Sequence, residues 1–283
     1  VLFWAHHKEE YALTTQHQAA TRKYFSSQNL RLSYLDFGGD SPNVLLCLHG
    51  HMNDGRVFAE FASKLSGWRV ISLDQRGHGW SEHSPEKDYS RNAYVQDILA
   101  FVQNELGGQQ IGLLGHSLGG LNAYQFAARY PAYVKALIVE DIGTEIHVDL
   151  SFVERLPQRS ASLEELKQSL RQVGVRAVDY FAESVLEDEH GCAFRADLSG
   201  MRISQEHCNG EWWTDWLASA CPALLIHGKH SFVMDEAHAK LMAERRANTR
   251  LAVFAECGHD IHSSDPDGFQ REVQVFLDEI ARS

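Results

Sequence analysis

Residues 113 to 124 read LLGHSLGGLNAY, an apolar run that breaks at Gly115, spends one residue on Ser117 and continues behind Gly119 and Gly120 into a helix-like stretch. A strand that becomes a helix within so few residues leaves room for little more than hydrogen beside the turn, so glycine on both sides is the expected composition. The serine is then presented alone at the end of a buried strand, near the positive end of the helix dipole. A dinucleotide-binding loop would also set glycines between strand and helix. Here the spacing of Gly115, Gly119 and Gly120 does not give G-x-G-x-x-G, and no fitting ribose-binding acid follows. The turn is read as a nucleophile elbow with Ser117 as the nucleophile.

The rest of the chain supplies a sheet for such a turn. The short, nearly continuous apolar runs VLLCLHG, WRVISLD, IGLLGHS, ALIVEDIG, PALLIHG and RLAVFAECGH are how parallel strands covered on both faces read. Segments 56–65, 91–106, 118–129, 235–247 and 267–280 fall between them with the three-and-four apolar spacing of helices laid on a sheet. RKYFSS and LRLSYLDF, behind a polar arm that runs to about Thr21, predict an antiparallel opening in which Leu30, Leu32 and Tyr34 alternate with Arg31 and Ser33. Strand and helix in alternation predict a doubly wound α/β fold. Residues 144–220 break the rhythm, because they hold no buried-strand run but three helix-like stretches, SLEELKQSLRQV, RAVDYFAESVLE and EWWTDWLASA. An insertion this long is expected to be a helical cap, or lid, over a core made of residues 1–143 and 221–283. A length of 283 residues suits one large domain of this kind.

Composition narrows the function. A net charge of -12 with no basic stripe argues against nucleic acid, and it weakly favours neutral over anionic substrates. No stretch approaches the ~18 apolar residues of a membrane span. VLFWAHHKEEY has too few apolar residues for a signal-peptide core, and the five cysteines, Cys47, Cys192, Cys208, Cys221 and Cys257, include no C-x-x-C pair. Reduced thiols and a cytoplasmic location are the expectation.

Four motifs stand in order along the chain: LCLHGH, DQRGHGWS, GHSLGG and ECGHDIHSSDP. Together they resemble the oxyanion loop, the D-x-R-G-x-G-x-S loop, the elbow and the histidine loop of the α/β-hydrolase superfamily. The resemblance runs from about Arg22 to the end. It implies an eight-stranded, mostly parallel sheet with a cap, and chemistry that needs neither cofactor nor metal. By that resemblance His259 is the general base, and the backbone amides of His51 and Leu118 form the oxyanion hole. The side chain of His51 is left as a pocket or packing residue, and His262 as structural. HGHMND is superficially similar to an H-x-H metal motif, yet it lacks the Asp-His that a binuclear zinc hydrolase would add. Arg76, Gly77 and Gly79 are expected to shape their loop by ion pairing and positive backbone angles.

The acid departs from the commonest family pattern, which puts an aspartate after the seventh strand where this chain has Ser231 in HGKHSFV. Asp141 ends the sixth strand run, 24 residues after Ser117, and this sequence is similar to esterase-like members that carry their acid there. Spacing and strand-end placement favour Asp141, with Glu140, Asp235 and Asp260 as the competing carboxylates. Trp212, Trp213 and Trp216 either line an acyl pocket or glue the cap to the core, while Phe152 and Phe181 are further pocket candidates. The expected function is hydrolysis of a carboxylic ester, or a related acyl bond, of a small neutral substrate through a Ser117 acyl-enzyme. A C–C, amide or lactone hydrolase would share the same three residues, and a ligand receptor that kept the pocket without turnover is the alternative class.

Overall fold

The structure is a computed structural model that describes residues 20–282 apart from residue 176, so the expected polar arm falls almost wholly outside it. The apolar runs form a single eight-stranded sheet. Its strands are β1 (Thr21–Ser27), β2 (Leu30–Asp36), β3 (Val44–Leu48), β4 (Arg69–Asp74), β5 (Ile111–His116), β6 (Val134–Glu140), β7 (Ala223–Gly228) and β8 (Thr249–Phe254). They lie in the order β1-β2-β4-β3-β5-β6-β7-β8. β2 runs antiparallel to β1 and β4, and the other neighbouring pairs are parallel. The alternation expected in β2 fails at Ser33, which is wholly buried because its amide donates to Ser81 Oγ at 2.8 Å and its hydroxyl to Asp74 at 2.9 Å.

Both faces of the central strands are covered, which is why their sequences are apolar without a break. Along β3, Val44, Leu46 and Leu48 enter one core layer, and Leu45 and Cys47 enter the other. The first layer is completed by α2 (Arg91–Asn104), α3 (Leu118–Arg129) and α8 (Glu236–Arg245). The second is completed by α1 (Ala59–Lys64) and α10 (Pro266–Arg282), whose Phe269, Val273, Phe276 and Leu277 form one helical stripe. Ser90 caps α2 by accepting the Ala93 amide, and Asp235 caps α8 by accepting the His238 amide.

The chain between β6 and β7 holds α4 (Leu163–Gln172), α5 (Val178–Ala182), α6 (Leu198–Cys208) and α7 (Trp213–Ala218). It is not wholly helical. The helix expected across RAVDYFAESVLE stops at Ala182, and Val185–Asp188 instead pairs antiparallel with Gly191–Phe194. Gly191, with φ 105, closes that hairpin where a Cβ would sit 2.2 Å from the Ser160 carbonyl. Cys192 then exchanges both backbone hydrogen bonds with Ser160 at 2.8 Å, a tertiary contact that local helical spacing does not encode. Helix α6, which sequence periodicity missed, starts where Asp197 accepts the Gly200 amide. No helix among the described residues is long and apolar enough to cross a membrane.

Candidate active site

Ser117 stands between β5 and α3 with φ 52 and ψ -117, a conformation an L-residue adopts only when its surroundings enforce it. The surroundings here are backbone. A Cβ on Gly115 would lie 2.1 Å from the Gly119 carbonyl oxygen, and one on Gly119 the same distance from that of Leu48. The Ser117 amide is tied to the Glu140 carbonyl of β6 at 2.9 Å. Its hydroxyl has no hydrogen-bond partner among the described residues and opens on a cavity. Leu118 and His51 border the same cavity beside it, and the Leu118 amide belongs to the first turn of α3, where a helix leaves its amides unpaired.

His259 follows β8 and lines that cavity too. Its Nδ1 donates to Asp141 Oδ2 at 2.8 Å. Asp141, with φ 50, is fully buried at the end of β6 and accepts four hydrogen bonds. His227 Nδ1 at 3.0 Å and the Gly228 amide at 3.2 Å reach Oδ1; the hydroxyl of Ser231 joins His259 at Oδ2. Burial alone would raise this carboxyl, but the bonds from His227, His259 and Ser231 and the His259 charge hold it below the usual carboxylate range. Burial likewise opposes a charge on His259, and the Asp141 hydrogen bond and charge outweigh it to raise the imidazole. Ser231, at the position where the family pattern has its acid, thus donates to Asp141.

The competing carboxylates are occupied differently. Glu140 accepts from the amide and Nδ1 of His262, each at 2.9 Å, in a fully buried pair. Asp235 is the α8 cap. Asp260 borders the cavity next to His259, with Oδ1 3.8 Å from His116 Nε2. Among the described residues Asp141 is the only one of the four bonded to the His259 ring. His116, just before Ser117, donates from Nε2 to the His259 carbonyl at 3.0 Å and accepts at Nδ1 from Tyr180, also at 3.0 Å. Burial, together with His259 and His262, keeps His116 neutral. Residue type and local spacing did not reveal His227, Ser231 as a donor, or Tyr180.

The cavity encloses about 640 Å³, its open mouth included. Phe152 and Phe181 line it, with Ile146, Val148 and Leu150. Besides Ser117, His116, His259 and Asp260, its polar lining is His51, Tyr180, Gln205 and Cys208, and no lysine or arginine among the described residues lines it. The three tryptophans do not reach it, so the pocket alternative for them is corrected. Trp216 is wholly buried, packs edge-on against Tyr124 at 5.8 Å and donates to the Met242 carbonyl of α8. Trp213 donates to Glu145 and stacks under Arg245 at 4.2 Å, and Trp212 donates to the Cys208 carbonyl. Trp216 and Trp213 thus join the insertion to α3 and α8, and Trp212 packs within it.

Two overlapping groups, His116 with Glu140 and His262, and His116 with His259 and Asp260, bring possible metal-ligand atoms within 4.8 Å of one another. Both His116 nitrogens and the Nδ1 atoms of His259 and His262 are engaged, with the His259 carbonyl, Tyr180, Asp141 and Glu140, and a metal at those atoms would have to displace these hydrogen bonds; the Nε2 atoms of His259 and His262 make none among the described residues. Both ring nitrogens of His49 are bonded as well, to the Gly50 carbonyl and the Gln75 amide. Arg76 is buried against Asp97, and a Cβ on Gly79 would collide with the Asp74 carboxylate.

Comparison with known proteins supports the α/β-hydrolase fold. A family model described as alpha/beta hydrolase fold matches residues 43–180. The serine hydrolase BPHL of Mus musculus is 24% identical over 247 residues, covering 84% of this chain and 80% of that protein. The 2-(acetamidomethylene)succinate hydrolase of Mesorhizobium japonicum is 26% identical over 251 residues, covering 85% and 89%. A crystal structure of E-2-(acetamidomethylene)succinate hydrolase superposes with a TM-score of 0.78 at 21% identity, over 92% of this chain and 99% of the other.

Proposed function

The chain belongs to the α/β-hydrolase superfamily, and from that premise we propose that it is a serine hydrolase cleaving carboxylic esters, or related acyl bonds, of small neutral substrates. The observation that carries this reading is the Asp141–His259 pair opening, with Ser117, on one apolar cavity. Ser117 Oγ attacks the acyl carbon and its proton passes to His259 Nε2. Asp141 fixes the ring tautomer and balances the imidazolium. The carbonyl oxygen becomes an oxyanion held by the His51 and Leu118 amides. Collapse of that intermediate breaks the bond to the alcohol, which leaves with the proton from His259. Water then attacks the acyl-enzyme with His259 as base, releasing the acid and free Ser117. No cofactor or metal has a part in these steps.

Residues 144–220 act as the cap that walls the acyl site, through Phe152, Phe181 and their aliphatic neighbours. An apolar lining with Asp260 at its edge favours an uncharged acyl group, and a diacid such as the succinate named in one relative would meet no lysine or arginine among the described residues that line the cavity. The receptor alternative rested on the serine at position 231. Its bond to Asp141 removes that motive.

Hydrolysis of p-nitrophenyl acetate, butyrate and octanoate by wild type and Ser117→Ala, with chelator present, tests the proposal. Turnover that survives chelator and disappears in the variant is expected. A folded wild type inert on all three neutral esters, or a Ser117→Ala variant as active as wild type, would overturn it.

A further inference from the structure

Two histidines flank Gly50 after β3, and their rings are used differently. His49 has both nitrogens bonded to backbone and is fully buried. His51 has one nitrogen engaged, Nε2 at 2.9 Å from Ser204 Oγ, while Nδ1 has no hydrogen-bond partner among the described residues. His51 also lines the cavity beside Ser117 and Leu118.

The neighbours decide where the proton of that ring sits. Tyr94 is 2% exposed, and its hydroxyl lies 3.0 Å from Ser204 Oγ. A buried phenol must give its proton to an acceptor, and Ser204 is the one within reach. Ser204, wholly buried on α6, then has its own proton for either His51 Nε2 or the thiol of Cys208, with which it also interacts. An imidazole nitrogen is a far better acceptor than sulfur. Tyr94 therefore donates to Ser204, Ser204 to His51 Nε2, and the neutral ring carries its hydrogen on Nδ1. Burial first, then Arg91, His49 and His259, pushes the His51 pKa down to about 3, so the ring is neutral wherever His259 can act as base.

We propose that the His51 side chain is a third oxyanion donor, its Nδ1–H hydrogen-bonding the oxygen that becomes negative when Ser117 attacks. No proton is transferred. The ring donates a hydrogen bond as charge builds and is neutral before and after, so the chemical balance of the acyl-transfer step is unchanged. Nδ1 lies only a few covalent bonds from the amide of the same residue, so both N–H groups can converge on one oxygen. Because Ser204 belongs to α6, docking of the cap sets the tautomer of a residue on the core. The inference rests on the acyl-transfer reading above.

The test joins kinetics on p-nitrophenyl butyrate with ¹⁵N ring shifts of His51. His51→Leu is expected to lose about a hundredfold in kcat with little change in KM. His51→Asn, whose side-chain amide can stand where Nδ1–H stood, is expected to regain about tenfold of that loss. Ser204→Ala, which frees the tautomer but keeps the ring, is expected to lose severalfold, and it carries the test should His51→Leu fail to fold. The wild-type shifts are expected to show hydrogen on Nδ1. A His51→Leu enzyme within about threefold of wild type, a His51→Asn enzyme as poor as His51→Leu, or hydrogen on Nε2 would each overturn the inference. A wild type without ester turnover would instead overturn the hydrolase reading, and the ring shifts would still decide the tautomer.

Discussion

Asp141–His259 and Glu140–His262 are the same chemical pair, built from consecutive residues at the end of β6, yet the two pairs face different worlds. Glu140 is the last residue of β6 and Asp141 turns out of the strand with φ 50, so the two carboxylates reach different histidines. Beyond Asp141, the His259 side chain is 12% exposed and borders the cavity that Ser117 opens on. Beyond Glu140, the His262 ring packs against Phe58 at 5.2 Å and Phe269 at 6.0 Å, and its Nε2 is buried without a partner among the described residues. A carboxylate-held histidine is thus not a base by composition. It becomes one where its far nitrogen meets a nucleophile and a substrate, and elsewhere the same pair is a clamp, here fixing the start of α9 (Ile261–Ser264) just after His259.

The comparison predicts opposite phenotypes for two adjacent amide substitutions. Asp141→Asn is expected to cut kcat on p-nitrophenyl esters by about 10³ to 10⁴, the loss that follows when the orienting carboxylate of such a triad becomes an amide. Glu140→Gln is expected to leave kcat within about tenfold while costing stability, up to about 3–5 kcal/mol for a buried pair robbed of one charge. Steady-state rates beside thermal melts separate the two. Equal kinetic losses would break the division into base and clamp, and a stable but inactive Glu140→Gln would reverse it.

A second, roughly tenfold effect is expected with pH, and it links the pairs. Burial pulls both histidines down, but Asp141 for His259 and Glu140 for His262 win, so each folded pKa stands above the ordinary 6.5. A histidine raised on folding contributes stability that is fully present below its unfolded value and is lost as pH rises through the folded one. Catalysis runs the other way, because His259 must be neutral to accept the serine proton. Across the window above 6.5, kcat/KM should therefore rise while the melting temperature loses the histidine contribution. In Glu140→Gln the melting loss should shrink and the kinetic limb persist. A kinetic limb well below 6.5 in the wild type would contradict the Asp141 assignment.

How far these pairs could be read from the sequence depended on distance along the chain. Ser117, the parallel sheet and the histidine loop were legible because a tight turn demands glycine locally and a doubly covered strand demands an apolar run. Asp141 was legible from the end of such a run. What held it was not: His227 is 86 residues away, and the serine at 231 looked like a missing acid until its hydroxyl was seen on the carboxylate. The tryptophans announced burial, but a hydrophobic pattern does not say against which surface. Contacts from the insertion back to the core, Ser204 to His51 across 153 residues and Tyr180 to His116 across 64, carry no local signal at all. For the same reason the first strand of the short hairpin at 185–194 was read, through residue 187, as the end of a helix.

His116 stands between the pairs, its ring 4.6 Å from that of His259 and 5.0 Å from that of His262, and Tyr180 is the cap's hold on it. Tyr180→Phe keeps the ring that packs edge-on against both His116 and His262, at 5.9 and 5.5 Å, and removes only the hydroxyl. His116 must go on donating from Nε2 to the His259 carbonyl, so its Nδ1 is left a buried acceptor without a donor, a cost of about 1–3 kcal/mol. The histidine loop keeps its ties to Asp141 and Glu140, so the base stays in place and kcat should fall by no more than about fivefold. What loosens is the cap, since α5 loses a polar tie to the core, and KM should rise by a comparable factor. Measuring kcat and KM separately on butyrate and octanoate esters checks this. A fall in kcat as deep as that of Asp141→Asn would mean that the cap, through His116, sets the geometry of the base, and the two pairs would then have to be treated as one coupled site.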